Sequence, residues 1–200
     1  FVLKSSEETL KVYPFAFALK ITYTLKEHDL DVCWEVVNKD SETMYFTIGG
    51  HPAFRVPVRE GESQSDYRLT FEGQDALTYL LIDTSVGTVV ADEPHTLSLE
   101  NGTCAIDAHM FDKDALVFDN GQIQKAGILF PDGTPYLTLT SEGFPNFGIW
   151  SVPGAPFVCL EPWMGRCDDC GFEKPLSEKA NINVLKPDEE FIKSYQITVH

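Results

Sequence analysis

Two segments of the 200-residue sequence carry side chains suited to moving protons. In Ile48-Gly-Gly-His-Pro-Ala-Phe-Arg-Val-Pro57 a strand-like run ends in two glycines and then presents His51. Paired glycines mark backbone that needs positive φ or a close approach, and Pro52 stiffens the chain after the histidine. In Phe157-Val-Cys-Leu-Glu-Pro-Trp-Met-Gly-Arg166 an apolar run ends in Glu161, followed by Pro162 and Trp163. A carboxylate at the end of a buried strand loses hydration, which raises its pKa unless it is paired. One imidazole and one such carboxylate make an acid–base pair, and the neighbouring indole offers a stacking surface. Each residue also has a plain structural reading: a histidine satisfied by its neighbours, and a strand-end glutamate facing water. Local sequence leaves both readings open.

The elements that must position these residues read as short strands. Ile21, Tyr23 and Leu25 alternate with polar residues, as do Leu30, Val32, Trp34 and Val36 in the next segment. With Lys26 to Asp29 between them, the two segments form a hairpin. Further strands are expected at 44–48, 67–71, 88–91, 95–99, 115–119, 122–129, 136–141, 148–150, 157–162 and 191–199. Turn signals at Asn101-Gly102, Asn120-Gly121 and Asp132-Gly133 punctuate them. Helical turns are expected only over Ile106–Lys113 and Ser177–Ala180. Many strands at short spacing predict an all-β chain, an antiparallel β-sandwich of one domain over residues 1–200.

Fifteen basic residues against 31 acidic give a net charge of −16. That balance excludes nucleic acid and anionic membrane surfaces as partners, because binding phosphate requires clustered Lys and Arg. No stretch approaches the roughly 18 apolar residues that a membrane span needs. No signal-peptide pattern opens the chain, so a cytoplasmic location is expected. The five cysteines are an odd number; Cys33 and Cys159 read as small buried hydrophobes. Cys167-Asp-Asp-Cys170 has the spacing of half a zinc site, but no second ligand pair completes it, so no metal and no cofactor are expected. There is no GxSxG elbow, P-loop or GxGxxG, which speaks against hydrolase, NTPase and dehydrogenase readings.

The His-Pro-Ala-Phe segment at 51–54, Tyr13-Pro-Phe15 before the first hairpin, Phe147-Gly-Ile-Trp150 and Cys159-Leu-Glu-Pro-Trp163 occur here in an order that resembles the bacterial aldose 1-epimerase (galactose mutarotase-like) proteins. The resemblance runs through almost the whole chain, as far as Leu185-Lys-Pro-Asp-Glu-Glu190. It implies a galactose mutarotase-like supersandwich with a sugar cleft on a concave face. It implies an isomerase that interconverts the α and β anomers of a free hexose such as galactose or glucose. Glu161 matches the family's general base and His51 its general acid. Phe54, Asp114, Trp150 and Trp163 are expected to line the sugar, with Asp112 and Asp119 as other acidic candidates. The resemblance also implies that the family's amino-terminal third lies outside this sequence. That expectation leaves exposed strand edges and with them a possible homo-oligomer. A non-catalytic carbohydrate-binding module is the alternative, with the aromatic residues as its platform. A phosphorylated hexose is disfavoured, since only Arg55, Arg59 and Arg166 lie near the motifs.

Overall fold

The structure is a computed structural model describing residues 1–200. Strands hold 46% of the residues and helices 5%, so the core must form between sheets. The strands that matter here are β1 (Val2–Lys4), β2 (Phe17–Lys26), β3 (Asp29–Asn38), β4 (Ile48–Gly49), β5 (Ala53–Arg55), β6 (Arg68–Phe71) and β7 (Thr103–Ala105). They continue as β8 (Leu116–Phe118), β9 (Lys125–Leu129), β10 (Pro135–Thr140), β11 (Asn146–Trp150), β12 (Phe157–Met164) and β13 (Glu190–Val199).

The β2–β3 hairpin forms as its alternation predicts. Ile21 pairs with Trp34, Tyr23 with Val32 and Leu25 with Leu30, and Glu27 turns the chain with φ 51°. From this hairpin grows an eight-stranded sheet in the order β1-β2-β3-β13-β10-β9-β6-β7, every pair antiparallel. A second sheet runs β8-β11-β12-β4, and β5 also pairs with β12. Small two-stranded pieces, among them Ala76–Tyr79 with His95–Ser98, fill the periphery.

The core lies between the two sheets. Val32, Trp34, Leu69, Ile128, Leu139 and Ile197 from the large sheet meet Leu116, Phe118, Phe147, Ile149, Val158 and Leu160 from the small one. Trp34 contacts Phe144 and Tyr195 edge-on, with ring centres 5.8 and 5.6 Å away. Burying each such aromatic or branched side chain contributes about 1.5–3 kcal/mol, enough in sum to fix which face of each strand points inward. The opposite face of the small sheet is left to carry the site.

Three local expectations change. Residues 106–113 form no helix: Met110, Asp112 and Asp114 donate to the carbonyls of Asp107, His109 and Phe111 as separate tight turns. Asp114, at φ 74°, ends the run. The second expected helical turn is a 3₁₀ turn at Leu176–Glu178. The one α-helix, Glu7–Leu10, opens on a capping box in which Ser6 and Thr9 exchange side-chain hydrogen bonds with each other's backbone. No helix is long and apolar enough to cross a membrane.

Candidate active site

β12 builds the site by alternation. Val158 and Leu160 point into the core, so Cys159, Glu161 and Trp163 share the outer face of the small sheet. On β11, Trp150, Gly148 and Asn146 stand opposite Cys159, Glu161 and Trp163 in turn. On the other side, Gly49 of β4 pairs with Trp163 and Ala53 of β5 with Cys159. Counting along the same antiparallel register, His51 falls opposite Glu161. The link between β4 and β5 is held on β12 by the Gly50 N–H donating to the Pro162 carbonyl (2.9 Å) and by the Leu160 N–H donating to the Pro52 carbonyl (3.3 Å).

Close approach explains the glycines. Neither Gly49 nor Gly50 adopts positive φ. A Cβ on Gly49 would stand 2.5 Å from Cδ1 of Trp163, and one on Gly50 2.9 Å from the Tyr195 hydroxyl. Gly148 is the counterpart on β11, where a Cβ would lie 2.4 Å from Cζ2 of Trp163. The indole therefore lies flat across the strand backbones, between positions that only glycine allows.

His51 Nδ1 sits 3.2 Å from Glu161 Oε1. The glutamate side chain is 6% exposed and the imidazole 59%, so a ligand reaches the carboxylate past the ring. Burial pushes the Glu161 carboxyl up to about 7, the Trp163 indole N–H offsets part of the rise, and the charge of Asp114 adds to it. The His51 ring meets Trp150 edge-on at 5.7 Å. Beneath, Leu80, Val89, Ala115 and Val117 form an apolar floor against Trp150 and Trp163. A cleft of about 600 Å³ opens beside Trp150 and Asp114, and a smaller one of about 320 Å³ beside Gly49, Trp163 and Arg166.

A second, half-buried carboxylate lies at the end of the same face. Asp119 accepts two hydrogen bonds from Arg166, 2.9 Å from Nε and 2.8 Å from Nη2, and a third from the Asn146 amide at 2.7 Å. The same guanidinium holds Asp169 at 2.7 Å. Asp119 is fully satisfied within the protein; Glu161 has no Lys or Arg beside it, only the neighbouring imidazole.

The aldose 1-epimerase family model matches residues 1–197. The chain belongs to the aldose 1-epimerase family. The LacX proteins of Lactococcus lactis, plasmid and chromosomal, are 30% identical over 202 residues, a match covering all of this chain and 67% of theirs. A galactose mutarotase related enzyme from Lactobacillus acidophilus superimposes with a TM-score of 0.90 at 30% identity, over 100% of this chain and 67% of that one. A galactose mutarotase-like protein from Lactobacillus casei gives 0.85 at 28% identity, over 100% and 69%. The supersandwich expected from the sequence is thus the fold, and the chain is mutarotase-like in the coarse sense that its family defines.

Against this aldose 1-epimerase frame the sequence-derived residues divide. His51, Glu161, Trp150 and Trp163 come together on one face, and Asp114 lines the neighbouring cleft that Trp150 borders. Phe54 does not join them. It pairs with core-facing Val158 and packs against the central core, so the expectation that it lines the sugar is set aside. Asp112 is tied to His109 at 2.8 Å near the surface, and Asp119 is committed to Arg166. Sequence reasoning missed Cys159 as a member of this face, along with Asn146 and Gly148. A lone glycine inside a strand pattern is the one signal that pointed to Gly148. All five cysteines are free thiols, and Cys33 is only half-buried.

Proposed function

We propose that this chain catalyses aldose 1-epimerisation, the interconversion of the α and β anomers of a free hexose. The observation that carries the reading is the contact between His51 and a buried Glu161 that has no Lys or Arg partner. Mutarotation exchanges protons at the anomeric hydroxyl and the ring oxygen, two atoms bonded to the same carbon. A base and an acid that converge on one point therefore suit it better than a pair set far apart.

Glu161, ionised, takes the proton of the anomeric hydroxyl. His51, protonated, gives a proton to the ring oxygen through the nitrogen turned away from Glu161, and the C1–O5 bond breaks to the open-chain aldehyde. Rotation about C1–C2 presents the other carbonyl face. The ring hydroxyl then attacks C1, its proton returns to His51 and the Glu161 proton passes to the new anomeric oxygen, so the pair ends as it began. A carboxyl titrating at about 7 is matched to this exchange, because it accepts and releases a proton at little cost near neutral pH. Trp150 and Trp163 supply apolar surface for the sugar's C–H face, and Asp114 accepts hydrogen bonds from its hydroxyls.

The test is polarimetry and proton-exchange NMR on freshly dissolved α-glucose and α-galactose. The expected result is a rate well above buffer that falls to the buffer rate in Glu161→Gln. Sugar-dependent Trp fluorescence quenching without anomerisation would instead identify a binding module.

A further inference from the structure

We propose that His51, Cys159 and Glu161 form a binding site for a thiophilic divalent cation of the zinc type. The ligating atoms of the three side chains lie within 4.8 Å of one another. His51 Nδ1 and Glu161 Oε1 are already 3.2 Å apart. Tetrahedral zinc bonds of about 2.0–2.3 Å put neighbouring ligand atoms roughly 3.3–3.8 Å apart, so the His51–Glu161 pair already stands close to coordination distance and the thiol closes in by a small side-chain rotation. Cys159 and Glu161 are two residues apart on β12 and project from the same face, while His51 is held opposite by the β4–β5 link. This mixed nitrogen, sulfur and oxygen set suits a borderline-soft ion, and three protein ligands leave the fourth position open to water.

The sequence gives no metal signature because the donors come from a strand pair and a cross-strand partner, a spacing outside the familiar motifs. On binding, the Cys159 proton and any proton shared by His51 and Glu161 pass to solvent, and no bond to carbon changes. If the proposed epimerase activity holds, the ion occupies both proton-transfer groups and inhibits the reaction. Metal binding itself does not depend on that activity.

The probe is Co²⁺ titrated into the protein, read by the near-ultraviolet thiolate-to-cobalt band and the visible bands of tetrahedral cobalt. One equivalent per chain is expected to saturate both, and Zn²⁺ to displace it. Cys159→Ser should lose the charge-transfer band, His51→Ala should weaken binding at least tenfold, and the Cys167→Ser/Cys170→Ser double variant should keep the band. X-ray absorption of the zinc-loaded parent covers the case in which Cys159→Ser does not fold. One sulfur with nitrogen and oxygen neighbours is expected; no sulfur, or two, overturns the site. A cobalt band that vanishes in the Cys167/Cys170 variant, or no band at all, overturns it as well. Bound cobalt without mutarotation of any aldose would leave the metal site standing and remove the epimerase reading. Mutarotation unaffected by saturating Zn²⁺ would show that the ion binds elsewhere.

Discussion

Asp119 and Glu161 sit on the same face of one small sheet, and the protein treats them in opposite ways. Asp119 receives a two-pronged guanidinium and an amide. Its charge is cancelled inside the fold, where it ties the 166–169 segment to the sheet. Glu161 is the more buried, 6% exposed against 18% for Asp119, yet it has an exposed imidazole in place of a cation. One carboxylate holds structure together. The other is kept at the point where holding or losing a proton is nearly balanced, and that balance is a property a catalyst needs more than a scaffold does.

The largest effect is expected at Glu161. Glu161→Gln is expected to lower the mutarotation rate 10²- to 10⁴-fold, measured by polarimetry, while making the fold more stable. The folded pKa of about 7 lies above the ordinary 4.5, so the folded state holds this proton more tightly than the unfolded chain does. Below about 4.5 the carboxyl is neutral in both states and costs nothing. Between about 4.5 and 7 stability falls as pH rises, and above 7 the full penalty, of order 1–3 kcal/mol, is present. Denaturant melts of the parent and Glu161→Gln should therefore coincide near pH 4 and separate, with the variant ahead, at pH 8. At the other carboxylate the sign reverses. Arg166→Leu strands Asp119 and Asp169, and a loss of about 3 kcal/mol is expected at neutral pH. Adding Asp119→Leu should recover part of that loss, a double-mutant coupling visible in urea midpoints.

Smaller effects are expected at Gly148 and Asp112. Gly148→Ala forces a methyl group against the Trp163 ring; a stability cost of about 1–3 kcal/mol and a shift in Trp fluorescence are expected. Asp112→Asn removes an acid paired only with exposed His109. Its melting and its mutarotation rate should match the parent, and a large loss of rate there would reassign the acidic sugar contact from Asp114.

Much of this is legible in the sequence alone. The β2–β3 hairpin follows from alternation because one face of each strand is apolar and the other polar. His51 and Glu161 stood out because a polar group closed each apolar run. What the sequence could not supply was parity where alternation disappears. In Phe157-Val-Cys-Leu nearly every residue is apolar, so nothing local tells that Cys159 shares the face of Glu161 while Val158 and Leu160 face the core. Phe54 was misplaced for the same reason: a three-residue strand takes its facing from its partner, and the partner of Phe54 is Val158. The pairing of His51 with Glu161 is likewise a long-range register, set only when β4 and β5 both dock on β12. The turns at 106–113 show the limit of helical spacing in a short span, where Asp107, Asp112 and a left-handed Asp114 favour turns.

The pH profile of kcat/KM for mutarotation of α-galactose reports ionisation of the group that accepts the anomeric proton in the free protein. With Glu161 as the base, an acidic limb with its midpoint near 7 is expected, below which the rate falls about tenfold per pH unit. A rate that stays level down to pH 5 would contradict it, and would mean that the buried carboxylate of Glu161 is not the base.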